Sequence, residues 1–342
     1  MQLIMPFAQV IGHRRLVSLL SRSIQHDSLP PSLLFAGPSG VGKRLTAIAV
    51  AQALNCAARP ASPAAALADA CGTCAVCTRI ARGVHPDVLL VEPGDSGAIK
   101  IDQVRDIVER AEYRPFEGRR RVAIIDDADA LVTAAQHALL KTLEEPPPSS
   151  VFILVTSRPD MLLPTVLSRC PQLRFRPLVA DDIAAALVAR GHRESEARAV
   201  AATADGSLGQ ALAASAGELV EARDIAQRVL AQASATVEPA RRIDGAKELL
   251  TKIGAGGAGD RERLASYLRA MASLLRDVAV LATRADDRAL ANPDVRPALE
   301  QLTQAYQGGR GVRAFSAIDR ALGALERNAG VKVVADWLVL QL

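Results

Sequence analysis

Residues 33–44 read LLFAGPSGVGKR, and this stretch decides the fold. A short apolar run, Leu33 to Ala36, leads into Gly37, Pro38, Ser39, Gly40, Val41, Gly42 and Lys43, and a helix-forming segment from Leu45 to Leu54 follows. Strand, glycine-rich loop and helix in that order make a phosphate-binding P-loop. The glycines let successive backbone N–H groups face one anion, the helix N-terminus adds partial positive charge, and Lys43 reaches outer phosphate oxygens. The alternative is an ordinary glycine-rich β–α turn, which the strand before, the helix after and the lysine in register disfavour. The last position of the motif calls for Ser or Thr, whose hydroxyl holds Mg²⁺, and here it is Arg44. Thr46 is no obvious substitute, because two residues further along a helix point about 200° away. The pattern argues against hydrolysis more strongly than against nucleotide binding, and whether ATP with Mg²⁺ is bound stays open at this point.

Outward from the loop, residues 7–27 read as a cap and a helix whose apolar face includes Val10, Ile11, Leu16, Leu20 and Ile24, stopped by Pro30 and Pro31. Buried strands are expected at 88–91, 122–125 and 151–155 and a final strand at 172–175, with helices at 100–110 and 133–144. Such alternation implies a parallel α/β sheet with ligands at the carboxyl ends of its strands. An Ala/Pro-rich excursion occupies Ala57 to Ala70. Beyond Pro177 strand signals vanish and alanine-rich helical periodicity takes over at 181–190, 194–204, 208–214, 218–233 and onward, with a loop expected at 254–259. Three domains are expected: 1–177 around the P-loop, a small helical unit at 178–217, and a helical bundle at 218–342.

A chain of 342 residues accommodates two or three cores. Its 49% hydrophobic and 23% charged residues are those of a globular protein, and only 3% aromatics leave Ala, Leu, Val and Ile to fill the interior. The net charge of +4 is compatible with an acidic partner without demanding one. No apolar run approaches the ~18 residues of a membrane span. The start, MQLIMPFAQVIGHRR, lacks an export-signal pattern, so a cytoplasmic location without membrane contact is expected.

Three further constellations carry chemistry. Asp126 and Asp127 close a buried strand downstream of the P-loop, where a Walker B pair would hold Mg²⁺ and polarise water; Asp127 is one methylene shorter than the usual Glu. The alternative is a pair of helix-capping acids. Cys56, Cys71, Cys74 and Cys77 offer four thiolates, the number a structural Zn²⁺ takes, although three of them at i, i+3 and i+6 would also suit a buried helix face. Arg169, in LSRC, is either a solvated surface charge or a guanidinium presented to a γ-phosphate on a neighbouring subunit.

FAQVIGH (7–13), the P-loop, the CxxCxxC knuckle, IIDDAD (124–129), ALLKTLEEPP (138–147) and LSRC (167–170) together resemble, in that order, the bacterial clamp-loader ATPase subunits of DNA polymerase III. The resemblance spans about residues 7 to 215. It implies an AAA+ fold: an α/β domain, a helical lid and an all-α collar that joins subunits into a hetero-pentameric ring. It also implies Zn²⁺ on the four cysteines, nucleotide along Gly37 to Arg44 with adenine near Val10 and Ile11, a sensor at Thr156 or Ser157, and Arg169 acting in trans. The implied partners are gamma/tau and delta subunits and, through the complex, the sliding clamp and primer-template DNA. The chain would thereby be part of a nucleotidyltransferase holoenzyme. Motor subunits keep Ser or Thr after the P-loop lysine, Glu after the Walker B Asp, and an arginine in the lid motif GSLRxAL; here stand Arg44, Asp127 and Gly209. One such contact is typically worth about 10² to 10³ in rate. The resemblance therefore points to the delta-prime branch, with weak or absent ATPase of its own. An ATP-hydrolysing gamma-type motor is the alternative. A stand-alone DNA-repair AAA+ ATPase is disfavoured, because the basic residues are dispersed and lack an aromatic stacking platform.

Overall fold

The computed structural model describes residues 6–58, 68–94, 96–213, 216–235, 238–251, 253–254, 257–283, 290, 292, 295–327 and 329–342. The chain divides into two compact units, Met1–Leu178 and Val179–Leu342.

The first unit is built on β1 (Ser32–Ala36), β2 (Val88–Val91), β3 (Arg121–Ile125), β4 (Ser150–Thr156) and β5 (Gln172–Arg174). They form one sheet in the order β2-β3-β4-β1-β5, and every pair is parallel. Side chains alternate across a strand, and in β1, β3 and β4 both faces are covered, so these strands read as near-continuous apolar runs, whereas Gln172 and Arg174 of the edge strand β5 are exposed. Leu33, Phe35, Val122, Ile124, Ile153 and Val155 pack in one core layer with residues of α1 (Arg14–Gln25) and α2 (Lys43–Asn55). Leu34, Ala36, Ala123, Ile125, Phe152 and Leu154 pack in the other with α4 (Ile101–Glu112) and α5 (Thr133–Glu144). Two short helices, α3 (Ala75–Ala81) and α6 (Pro164–Leu167), complete the unit. This is the expected α/β P-loop domain of the AAA+ class, with β1, β3 and β4 side by side so that their carboxyl ends converge.

The segment 7–27 is a 3-10 turn, Phe7–Gln9, followed by α1, because the chain turns at Gly12 with φ +79°. Most of the Ala/Pro-rich excursion, residues 59–67, lies outside the described residues.

Among the described residues the regular elements of the second unit are all helices: α7 (Ala180–Val188), α8 (Glu194–Thr203), α9 (Leu208–Ala213), α10 (Ala216–Ala235), α11 (Pro239–Leu250), α12 (Ala258–Ala282), α13 (Arg296–Tyr306), α14 (Gly309–Glu326) and α15 (Val331–Gln341). Its core runs along α12 through Leu264, Leu268, Met271, Leu274 and Val278, as the low aromatic content requires. The loop expected at 254–259 ends earlier, since the Asp260 carboxylate accepts hydrogen bonds from Gly254 N (2.8 Å) and Gly257 N (3.1 Å) and starts α12 at Ala258. Among the described residues no helix is long and apolar enough to cross a membrane.

Candidate nucleotide and metal sites

The P-loop leaves β1 at Ala36 and enters α2 at Lys43, with Gly37, Gly40 and Gly42 at φ +153°, +72° and +98°. Gly37 is tightest: a Cβ there would lie 2.2 Å from the Phe175 carbonyl oxygen. The loop is tied on both sides. Gly37 N donates to Thr156 O (3.3 Å), and the His13 ring bonds Val41 O (2.9 Å) while packing edge-on against Phe175. Lys43 Nζ donates to Gly37 O (2.7 Å) and Pro38 O (2.6 Å), closing the curl of the backbone. Burial lowers the Lys43 pKa, against the opposing pull of Asp126, Asp127 and Asp129. Thr46 is buried and its hydroxyl donates to Gly42 O (2.9 Å), so it is spent within its own helix. Val10 and Ile11 are half-buried, and Val10 packs on the core beside α1.

Arg44 decides what the site can do. Its guanidinium donates from Nη1 to Asp126 Oδ2 (3.2 Å) and to Glu92 just past β2. The first Walker B carboxylate is thus paired with the residue that replaces the metal-binding hydroxyl. Unit charges 4 Å apart repel by about 4 kcal/mol at an effective dielectric of about 20, and a divalent ion doubles this before solvent screening reduces it. The residues present do not fit Mg²⁺ while Arg44 holds that place.

Asp127 caps no helix: it sits at φ +47° and its side chain makes no cap bond. Burial raises its pKa and the charges of Asp126 and Asp129 raise it further; Asp126 is also raised by burial, with Arg44 opposing. Thr156, at the end of β4, is buried and donates to Asp129 Oδ1 (2.6 Å); Asp129 Oδ2 also receives Nε and Nη2 of Arg158, both at 3.1 Å. The sheet therefore brings Gly37 to Arg44, Asp126, Asp127 and Thr156 to one edge. Glu92, Asp129, Arg158 and His13 join them, and no spacing pattern announces these four.

Arg169 stands apart from that edge. It donates to Thr165 O (2.8 Å), Ser168 Oγ (3.3 Å) and Glu144 at the end of α5, with its side chain 32% exposed.

The Sγ atoms of Cys56, Cys71, Cys74 and Cys77 all lie within 4.8 Å of one another. A tetrahedron with Zn–S bonds of about 2.3 Å has sulfur separations of about 3.8 Å, so these donors fit a closed Zn²⁺ site. The backbone already favours thiolates: Cys71 N points at Cys56 Sγ (3.3 Å), Cys74 N at Cys71 Sγ (3.3 Å) and Cys77 N at Cys74 Sγ (3.5 Å). The Cys74 and Thr73 N–H groups pull Cys71 down to about 6, while burial pushes Cys56 and Cys77 up.

Next to the knuckle is a joint that no motif signals. Asp87, fully buried, accepts from Phe116 N (2.7 Å), Glu117 N (2.9 Å), Gly118 N (2.8 Å) and the Arg121 guanidinium (2.9 Å). Asn55 Oδ1, one residue before Cys56, accepts from Arg119 N (2.8 Å) and Arg120 N (3.0 Å). Asp87, just before β2, and Asn55, beside the knuckle, fasten the same segment that enters β3.

A parallel sheet in this order, with a P-loop after β1 and an acidic pair after β3, defines a P-loop domain of the AAA+ fold class. Residues 12–179 match the family described as DNA polymerase III, delta subunit. DNA polymerase III subunit delta' of Bacillus subtilis is 37% identical over 164 residues, 48% of this chain and 47% of that one. Subunit gamma/tau of Mycobacterium tuberculosis is 36% identical over 172 residues, 50% of this chain and 29% of that one. The chain thus spans less than half the length of either relative. A gamma-subunit-related protein of Thermotoga maritima aligns over 93% of this chain and 95% of its own at 18% identity and a TM-score of 0.38, too distant to add to the argument. Residues 12–179, just under half of the chain, are thus similar to the DNA polymerase III clamp-loader subunits, which supports a member of that family.

Proposed function

We propose that this protein is a delta-prime-type clamp-loader subunit: a ring member that hydrolyses little or no ATP and presents Arg169 to the nucleotide of an adjacent gamma/tau subunit. The observation that carries the reading is Arg44 on Asp126, beside an Asp127 too short for the task of Glu. The first altered position would hold Mg²⁺ and the second would polarise the attacking water, so hydrolysis loses two separate requirements and their combined loss reaches orders of magnitude. Meanwhile Arg169 is held half-exposed at the end of α6 by Glu144 and Thr165, a preorganised guanidinium away from the chain's own P-loop. In this reading 178–217 is the lid and 218–342 the collar, delta and gamma/tau are ring neighbours, and the assembly opens the sliding clamp at primer-template DNA. One Zn²⁺ on the cysteine knuckle braces the domain.

The test is a reconstituted ring. Arg169→Ala is expected to cut DNA-stimulated ATPase of the assembly by about 10² or more, the usual worth of an arginine finger being larger still, while Lys43→Ala leaves it near the unmodified rate. The opposite pattern, or brisk turnover by the purified chain alone, would replace this reading with that of a gamma-type motor.

A further inference from the structure

The mismatch between Arg44 and a magnesium site has a second consequence, which rests on reading residues 37–44 as a nucleotide site. We infer that this P-loop takes a nucleoside diphosphate or triphosphate without a divalent cation, the Arg44 guanidinium standing where the metal's charge would be. Arg44 is the second residue of α2, directly after Lys43, so it stands at the same helix N-terminus that the loop curls toward. Its side chain remains 42% exposed, whereas Asp126 behind it is 13% exposed. The bonds to Asp126 and Glu92 both use Nη1, and its other N–H groups make no hydrogen bond among the described residues. A guanidinium offers five donors in a fixed fork, so Arg44 can stay clamped to Asp126 and still donate to a phosphate oxygen. Thr46, the nearest hydroxyl on α2 that might have called a metal back, is turned into Gly42 O. The chemistry left is charge-assisted hydrogen bonding from Lys43, Arg44 and backbone amides, which recognises phosphate oxygens as such and gains nothing from Mg²⁺.

The experiment titrates the full-length chain with a fluorescent methylanthraniloyl-ADP, once with Mg²⁺ and once with EDTA, for the unmodified chain, Arg44→Ala, Arg44→Lys and Arg44→Thr. The unmodified chain is expected to bind with the same affinity in both buffers to within about three-fold. Arg44→Ala should weaken binding in EDTA by about ten-fold or more, the size of one charge-assisted hydrogen bond. Arg44→Lys should keep metal-independent binding, and Arg44→Thr should bind well only with Mg²⁺. Melting curves establish that each variant is folded. Binding by the unmodified chain that requires Mg²⁺, or tighter binding by Arg44→Ala in EDTA, overturns the inference. Absence of binding in both buffers also overturns it, yet leaves the ring-subunit reading to the ATPase of the reconstituted assembly.

Discussion

Asp87→Asn strikes the joint that fastens the start of β2 to the segment entering β3, the strand that leads to Asp126. Four donors converge on its carboxylate: Oδ1 accepts from Phe116 N and Arg121, and Oδ2 from Glu117 N and Gly118 N. Asparagine keeps one acceptor oxygen and turns an NH₂ toward two donors whichever way it is flipped. It also leaves Arg121, 8% exposed, as a buried charge without its counter-ion. Burial alone would push Asp87 up, but the Glu117 N–H, the Arg121 guanidinium and the Phe116 and Gly118 N–H groups hold it down, from 3.8 to about 2. At about 1.4 kcal/mol per pKa unit this depression corresponds to about 2.5 kcal/mol, and breaking a buried ion pair costs about 3–5 kcal/mol. A loss of about 3 kcal/mol is expected at neutral pH, about 6–12 °C in melting temperature for a unit of this size.

The pH dependence follows from the sign of the shift. The folded-state pKa lies below the unfolded one, so the stabilisation is complete above about pH 4 and disappears as pH falls toward 2. The difference between the unmodified chain and Asp87→Asn should shrink over that window. Urea unfolding at neutral pH and near pH 2, with hydrogen exchange read on peptides covering residues 112–125, measures both. A difference below about 1 kcal/mol at neutral pH refutes the argument, given what buried pairs cost when broken. So does one that is unchanged on acidification.

Two further outcomes are expected. Elemental analysis should find one Zn²⁺ per chain, with Cys56, Cys71, Cys74 and Cys77 protected from thiol reagents until a chelator is added and the melting temperature falling on metal removal; substoichiometric metal with four reactive thiols would exclude the site. Gly37→Ala should cost about 2 kcal/mol or more, because its φ of +153° is strained for alanine and the new Cβ would press on Phe175 O, and nucleotide affinity should fall with it. Unchanged denaturation and binding would show that the β1 exit tolerates a side chain.

The sheet, the P-loop and the cysteine knuckle were legible because each is written locally. Buried parallel strands are continuous apolar runs, the loop is a run of glycines before a helix, and metal knuckles keep short spacings. The alternative of a capping pair at Asp126 and Asp127 finds no side-chain cap bond at Asp127, whose left-handed backbone no propensity announces in Ile125-Asp126-Asp127-Ala128. Asp87, Asn55, Asp129 and Arg158 stayed invisible for another reason. Their partners lie 27 to 65 residues away, and a buried polar contact at that separation leaves no periodicity to read.

Arg44 belongs to both categories. In the sequence it is a lost hydroxyl, a defect in a motif. In the structure it is paired with Asp126, 82 residues on, and with Glu92 just past β2. Arg158 covers Asp129 in the same way, and Lys43 faces what remains of the acidic set. With Lys43, Arg44 and Arg158 set against Glu92, Asp126, Asp127 and Asp129, the cluster is one positive charge short of balance with no metal counted. A site that must recruit Mg²⁺ leaves its acids uncovered until the metal arrives. Here side chains already cover Asp126 and Asp129. A single reversion at residue 44 would then expose Asp126 to metal but leave Asp127 too short to aim a water, so binding and hydrolysis should be restored by different substitutions.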